Sequence, residues 1–395
     1  MRNNWSTGRM DKFFDLRMGK TPPRDNPIYW DDPANNWVAI SDMGKSKYIS
    51  LTKEQISDNA VSECRMSPVP ANTAIMSFKL SIGKAAITAE PIFTNEAIMS
   101  FIPKAEYEDE IITDYIYYYL LGFKWSGLGN KAVMGVTLNK KSLSSKPFAF
   151  PSISLQNKIV AELDQINDLI AKNRELLSQL DVLAQSLFYY TFGDPISNQK
   201  GWAVYDIKSI TEVLRDGPFG SNLKSSHYTD SGIRVIRLQN IGVGYFDDED
   251  KAFISEDYYP NISKYTCYPG DVILGTLGNP NLRACIVPPY LEKAIHKADC
   301  VRLVPDRTLL ESKYVEAYFN NPSVLSMASK DIHGATRARI SCGQIAKFLI
   351  PVPPLALQED FAAKIKAIEA QKAKVEAEIA ELQTLLDARM DYWFN

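Results

Sequence analysis

Residues 150–159 read "FPSISLQNKI" and residues 352–361 read "VPPLALQEDF". Each phrase is a short apolar tail, a proline, and then Leu-Gln opening a long helical pattern. Adding 202 to the first phrase gives the second, and the register holds without a gap to the last residue. Pro151, Leu155, Gln156, Ala161, Ile166, Ala171, Lys172, Leu180, Leu183, Tyr190 and Phe192 recur as Pro353, Leu357, Gln358, Ala363, Ile368, Ala373, Lys374, Leu382, Leu385, Tyr392 and Phe394, which is 11 identities in 43 positions. The flanks repeat more loosely: Trp5 answers to Trp202, "WVAISDMG" (37–44) to "VIRLQNIG" (235–242), "KAAIT" (84–88) to "RACIV" (283–287), and "FIP" (101–103) to "LVP" (303–305). A fixed offset of this kind marks a duplicated structural unit. The unit is a domain of about 150 residues followed by a long helix.

Periodicity defines the helices. In the first, apolar residues fall at Leu155, Ile159, Leu163, Ile166, Ile170, Leu177, Leu180 and Leu187; in the second, at Leu357, Phe361, Ile365, Ile368, Val375, Ile379, Leu382 and Leu386. Steps of three and four make the stripe of a coiled-coil seam. Gly193 followed by Pro195 is a helix stop. The stripes predict that the two helices pair antiparallel, the first leading from domain 1 to domain 2 and the second returning. Within the domains, "NNWVAI", "TAIMSF", "KAAIT" and "AIMSFI" read as short strands, and "ITDYIYYYLLGF" and "ESKYVEAYF" as one helix per copy. The expected fold is therefore two α/β (α+β) domains joined by two long antiparallel coiled-coil helices in a pseudo-twofold repeat. Its expected boundaries are 1–152, 153–193, 194–353 and 354–395.

Composition narrows the function classes. The chain has 395 residues, 45% hydrophobic and 23% charged, which is ordinary for a globular protein. Its first residues, "MRNNWSTGRM", have no apolar signal core, and "YIYYYLLGF" (115–123) is too short for a bilayer span. Five scattered cysteines without a CxxC pair predict reduced thiols and a cytoplasmic protein, and three lone histidines give no zinc spacing. The net charge of −3 is not the footprint of a strongly basic nucleic-acid binder. Residues 1–150 carry 18 basic and 16 acidic side chains, and residues 194–353 carry 18 of each, so phosphate affinity would rest on local clusters such as "KSK" (45–47) and "TRAR" (336–339). "LGNPNL" (277–282) lacks the aromatic residue that an Asn-Pro-Pro-aromatic methyltransferase motif needs. No phosphate-binding loop, paired metal-binding carboxylates or Ser-His-Asp spacing is present, so an intrinsic catalytic function is not expected.

The order of Trp-led domain, Leu-Gln entry and long helix, given twice, resembles the specificity (S) subunit of a type I restriction–modification system. "DGPFGSNLKSSHY" (216–228), "GIRVIRLQNI" (232–241) and "YPGDVILG" (268–275) resemble phrases of the target recognition domains of that family. The resemblance implies that each domain reads half of a split DNA site while the helices space the halves and dock two methyltransferase (M) subunits. Restriction/translocase (R) subunits would join them. S-adenosylmethionine, ATP and Mg would sit on those partners and no cofactor on this chain. In copy 1 the loop "RMGKTPPRDNPIYW" (17–30) replaces the "GPFGSNLK" type, which predicts an asymmetric target.

Base readout needs Arg or Lys for guanine and Asn or Gln for adenine on loops that reach a groove. Copy 1 offers Lys20, Arg24, Ser41, Asp42, Lys45, Lys47, Lys140 and Lys141; copy 2 offers Ser221, Asn222, Lys224, Arg237, Gln239, Asn240, Arg337 and Arg339. The competing reading is a coiled-coil scaffold that holds two α/β domains for protein partners and does not bind DNA.

Overall fold

The computed structural model describes residues 4–125, 130–132, 135–330 and 339–395. The chain forms two compact units, residues 1–174 with 377–395, and residues 175–376. In the first, strands β1 (Phe14–Met18), β2 (Ala74–Ser77), β3 (Ala85–Thr88) and β4 (Ile98–Pro103) form an antiparallel sheet in the order β1-β4-β2-β3, with Tyr48–Ile49 added in parallel beside β3. Alternate residues of a strand face opposite sides of the sheet. Ala74, Met76, Met99 and Phe101 meet Tyr115, Ile116 and Tyr119 of helix α1 (Thr113–Gly122) on one face, while Ile75, Ala86 and Ile98 meet Val38, Met43 and Ile92 on the other. With both faces covered, these strands read as continuous apolar runs rather than alternating ones.

After the long helix α2 (Ile153–Phe192), the second unit repeats this core with β5 (Thr211–Asp216), β6 (Val272–Gly275), β7 (Arg283–Ile286) and β8 (Cys300–Pro305) in the order β5-β8-β6-β7. Register repeats too: Ala74 pairs with Phe101 and Ile87, and Val272 with Leu303 and Ile286. A second sheet accompanies each core, three-stranded in copy 1 and five-stranded in copy 2, holding one parallel pair at equivalent places, Trp37 with Phe93 and Val235 with Ile295. Helix α3 (Ser312–Phe319) takes the place of α1, and helix α4 (Leu355–Phe394) follows.

The repeated phrase owes its form to a shared joint. Its apolar tail is a strand, Pro147–Phe150 paired with Ser6–Arg9 and Leu349–Val352 paired with Ala203–Asp206. Tyrosine hydroxyls on the domain helix donate to that strand: Tyr115 to the Ala149 carbonyl (2.8 Å) and Tyr119 to Pro147 (3.0 Å) in copy 1, Tyr314 to Pro351 (2.6 Å) and Tyr318 to Leu349 (3.0 Å) in copy 2. The glutamine is fully buried in both copies. Gln156 donates to the carbonyls of Glu110 and Pro151 and accepts from the Ile112 N–H; Gln358 donates to Leu309 and Pro353 and accepts from Glu311 N–H, all at 2.7–3.0 Å. A primary amide that satisfies three backbone groups in a dry site is hard to replace.

Helices α2 and α4 have 40 residues each, or about 60 Å at 1.5 Å per residue. They run antiparallel in each unit. In the first, Glu162 pairs with Arg389 and accepts from the Trp393 indole, and Asn173 donates to Glu378. In the second, Asp181 pairs with Lys372 at 2.6 Å, and the Phe188 and Phe192 rings sit 5.9 and 5.1 Å from Phe361. Ile159, Leu163, Ile166, Ile170, Phe361, Ile365 and Val375 of the predicted seam are buried, and Leu155, Leu177, Leu180, Ile368, Ile379 and Leu382 are half-buried. Leu357 corrects the expectation: it is 38% exposed, because the neighbouring Gln358 turns inward at the helix entry. Gly193, at φ +81°, ends α2 as its position predicts.

Candidate nucleic-acid interface

Three predicted readers are framework residues. Asp42 is buried, its carboxylate accepting from the backbone N–H of Ala39 (2.9 Å) and Lys53 (3.3 Å). Asn240 stands at the equivalent place in copy 2; it is fully buried, accepts from Arg237 N–H and donates to the carbonyls of Asp247 and Asp250. Each closes the turn after the strand that makes the parallel pair and has no edge left for a base. Lys47 is the third: its ammonium lies 2.6 Å from Asp114 and 2.7 Å from Asp164, tying the domain to α2. Burial pulls its pKa down, but the two carboxylates outweigh it and the net shift is upward.

Other candidates are held by partners at the surface. Arg24 makes a two-pronged pair with Glu54 at 2.8 Å and stacks 3.9 Å over Trp30, and its guanidinium lowers the Glu54 pKa. Arg237 pairs with Asp250 and faces the Tyr228 ring. Arg339 lies 3.0 Å from Asp299 and over Phe219. Ser41, Lys45, Lys140, Lys141, Ser221, Asn222, Lys224 and Gln239 are exposed. Arg337 lies outside the described residues.

Lys20 and Lys140, far apart in sequence, come together. With Arg17 and Arg65 they line a cleft of about 410 Å³ in the first domain, and no carboxylate is among the described residues that line it. Lys20 donates from Nζ to the carbonyls of Cys64 (3.1 Å) and Arg65 (2.9 Å), which fixes its position. Lys140 opens a short helix whose cap is a reciprocal pair between Asn139 and Ser142. Gly19 makes the close approach possible, since a Cβ there would fall 2.1 Å from the Thr94 carbonyl. Arg17 and Arg65 were not singled out in sequence because neither stands in a basic run; only the fold gathers them.

Residues 2–181 match the family described as the type I restriction modification DNA specificity domain. Over 98% of its length the chain is 24% identical to the type I restriction enzyme MjaIX specificity subunit of Methanocaldococcus jannaschii, covering 91% of that protein. The family match and the relatives agree in kind: this chain is similar to type I restriction–modification specificity subunits. A second family member from the same organism, the MjaVIII specificity subunit, is 20% identical over 93% of this chain and 86% of its own. The family fold agrees: a type I S subunit from M. genitalium superposes with TM-score 0.54 at 13% identity over 98% of this chain and 95% of its own. A chain from a type I restriction–modification system studied for complex assembly and conformational transition gives TM-score 0.65 at 16% identity, over 100% and 98%. Among the described residues no helix is long and apolar enough to cross a membrane, and no group of His, Cys, Asp or Glu is placed to hold a metal.

Proposed function

We propose that this chain is the sequence-reading subunit of a type I restriction–modification complex, with each domain reading one half of an asymmetric bipartite DNA site. The observation that carries the reading is a duplicated framework with unduplicated polar loops. Core order and register recur, yet the exposed candidate readers include Ser41, Lys45, Lys140 and Lys141 in one copy and Ser221, Asn222, Lys224 and Gln239 in the other. One scaffold with two donor sets suits two different half-sites.

Recognition is this chain's whole role, and chemistry belongs to partners. Two M subunits carrying S-adenosylmethionine would extrude and methylate an adenine in each half, since the amino group is stacked inside the duplex. R subunits carrying ATP and Mg would cut unmodified sites. Leu183 and Tyr190 on α2, with their repeats Leu385 and Tyr392 on α4, are exposed at 51, 83, 46 and 48%. Apolar and aromatic identities kept exposed in both copies support two equivalent docking faces, one per M subunit. The assembly would act in the cytoplasm, where host DNA lies.

Single-molecule methylation mapping of DNA from cells expressing this chain with its M subunit tests the reading. A methylated, asymmetric, split motif is expected. A gel shift with no sequence preference, even with M present, would instead establish the scaffold reading.

A further inference from the structure

We propose that the cationic cleft of the first domain is a seat for a phosphodiester group of the DNA backbone, and that the second domain has no counterpart. The inference rests on the DNA-recognition reading and adds which group is held and where. Four cations, Arg17, Lys20, Arg65 and Lys140, line the cleft. Beside them lie Thr94, 2% exposed, and Ser100, fully buried. The hydroxyl of each is buried and has no hydrogen-bond partner among the described residues. A buried hydroxyl left unpaired costs stability, so a site that keeps two is built for an acceptor from outside. Cations plus hydroxyl donors, with no carboxylate in the cleft's own lining, match the non-bridging oxygens of a phosphodiester. Lys20, with two N–H groups given to backbone carbonyls, keeps its third for such a ligand.

The second domain closes the same place from within. Strand register makes Arg302 the counterpart of Ser100, since Arg17 pairs with Ser100 and Arg215 with Arg302. Arg302 is bound to Asp271 at 2.7 Å. His296 stands where Thr94 stands, each one step beyond the matched pair in its parallel ladder. Gly217 matches Gly19, both pressed against the chain of that strand, so Pro218 replaces Lys20. Cys342 replaces Lys140 at the head of the matching capped helix. Arg215 remains, with its guanidinium given to the Lys264 carbonyl at 2.7 Å. Among the described residues there, Arg302 is neutralised by Asp271, an imidazole stands in place of the hydroxyl, and two lysines are replaced.

The test measures the affinity of the full chain for two fluorescent duplexes, one with the mapped site and one scrambled, across about 50–200 mM salt. Arg17→Ala with Lys140→Ala, both at exposed positions, should weaken binding to both duplexes alike, about tenfold. The same double variant should reduce the slope of log affinity against log salt by about one, for the one phosphate no longer neutralised. Ser100→Ala removes a neutral donor and should cost about threefold with the slope unchanged. Arg215→Ala should leave the slope as in wild type. An unchanged slope in the double variant overturns the proposal, as does a loss confined to the mapped duplex, which would mean a base contact. A slope loss equal in Arg215→Ala would refute the one-domain assignment. If wild type shows no preference for the mapped duplex, the sequence-reading function fails while the slope on scrambled DNA still judges the cleft; no binding to either duplex refutes both.

Discussion

Gln156 and Gln358 show how a polar residue comes to be repeated in a hydrophobic context. Each is held by backbone groups on its own domain, so Gln156→Ala strands the Ile112 N–H and two carbonyls at once. Loss of roughly 3 kcal/mol is expected from one unpaired buried donor and the lost bonds, read as a lower urea midpoint of the first unit. Leu357→Ala, at an exposed identity beside the clamp, should cost less than about 1 kcal/mol. The sequence announced the Leu-Gln pair but not which member faces inward, because two of the clamp's three partners lie 44–49 residues upstream. Asp42 and Asn240 look like loop readers until the turn folds their backbone partners, 3–11 residues away, around them. His296 adds a pH dependence. Burial lowers its pKa from 6.5 to about 4, so between those values the unfolded chain takes up a proton that the folded one refuses. Stability then falls as pH falls through that window, by up to roughly 3 kcal/mol. Glu316, raised by burial to about 7, acts in the opposite sense in the same domain, so the readout is a difference. His296→Leu should flatten the acid side of the second unit's stability profile relative to wild type, and parallel profiles would contradict it.

At the scale of elements, the heptad stripe was legible because the seam needs only local spacing. Ile159, Leu163, Ile166, Ile170, Phe361, Ile365 and Val375 are buried at the places the stripe gave them. What the stripe did not contain is how each helix ends. Phe188 and Phe192 close α2 against Tyr314, and Phe394 closes α4 against Tyr115 and Tyr119. Those tyrosines repeat at an offset of 199 rather than 202, so the duplication is interrupted just where the domain helix sits. Ile166→Asp puts a charge into the buried face and should destabilise the first unit by about 3 kcal/mol or more, with lower far-UV helicity and weaker M-subunit assembly. Normal helicity and assembly would show that Ile166 is not held between helices.

For the whole molecule, the doubling was the most legible feature and the cleft the least. Two copies of a phrase are visible along a line of letters, whereas Arg17, Lys20, Arg65 and Lys140 meet only after the sheet, a turn and a short helix are assembled. Duplication also makes the halves exchangeable. Replacing residues 205–340 with the second domain of another family member should change one half-site in a methylation map and leave the other intact. If both changed, the domains would not read independently. Inserting seven residues into each helix at matched levels keeps the seam in phase and lengthens each by about 10.5 Å. The methylated motif should then keep its half-sites and gain one to three base pairs of spacer, as estimated from about 3.4 Å per base pair. An unchanged spacer would assign the distance to something other than these helices. The burial of Phe394 among Tyr115 and Tyr119 reaches beyond the finished molecule, to its birth on the ribosome. The first domain's aromatic core lacks its last side chains until more than 200 residues after Gln156 have been translated, a wait of roughly 10–40 s at 5–20 residues per second. For that interval the nascent chain carries an uncovered aromatic surface, which makes the opening half of the polypeptide the natural client of chaperones during its own synthesis.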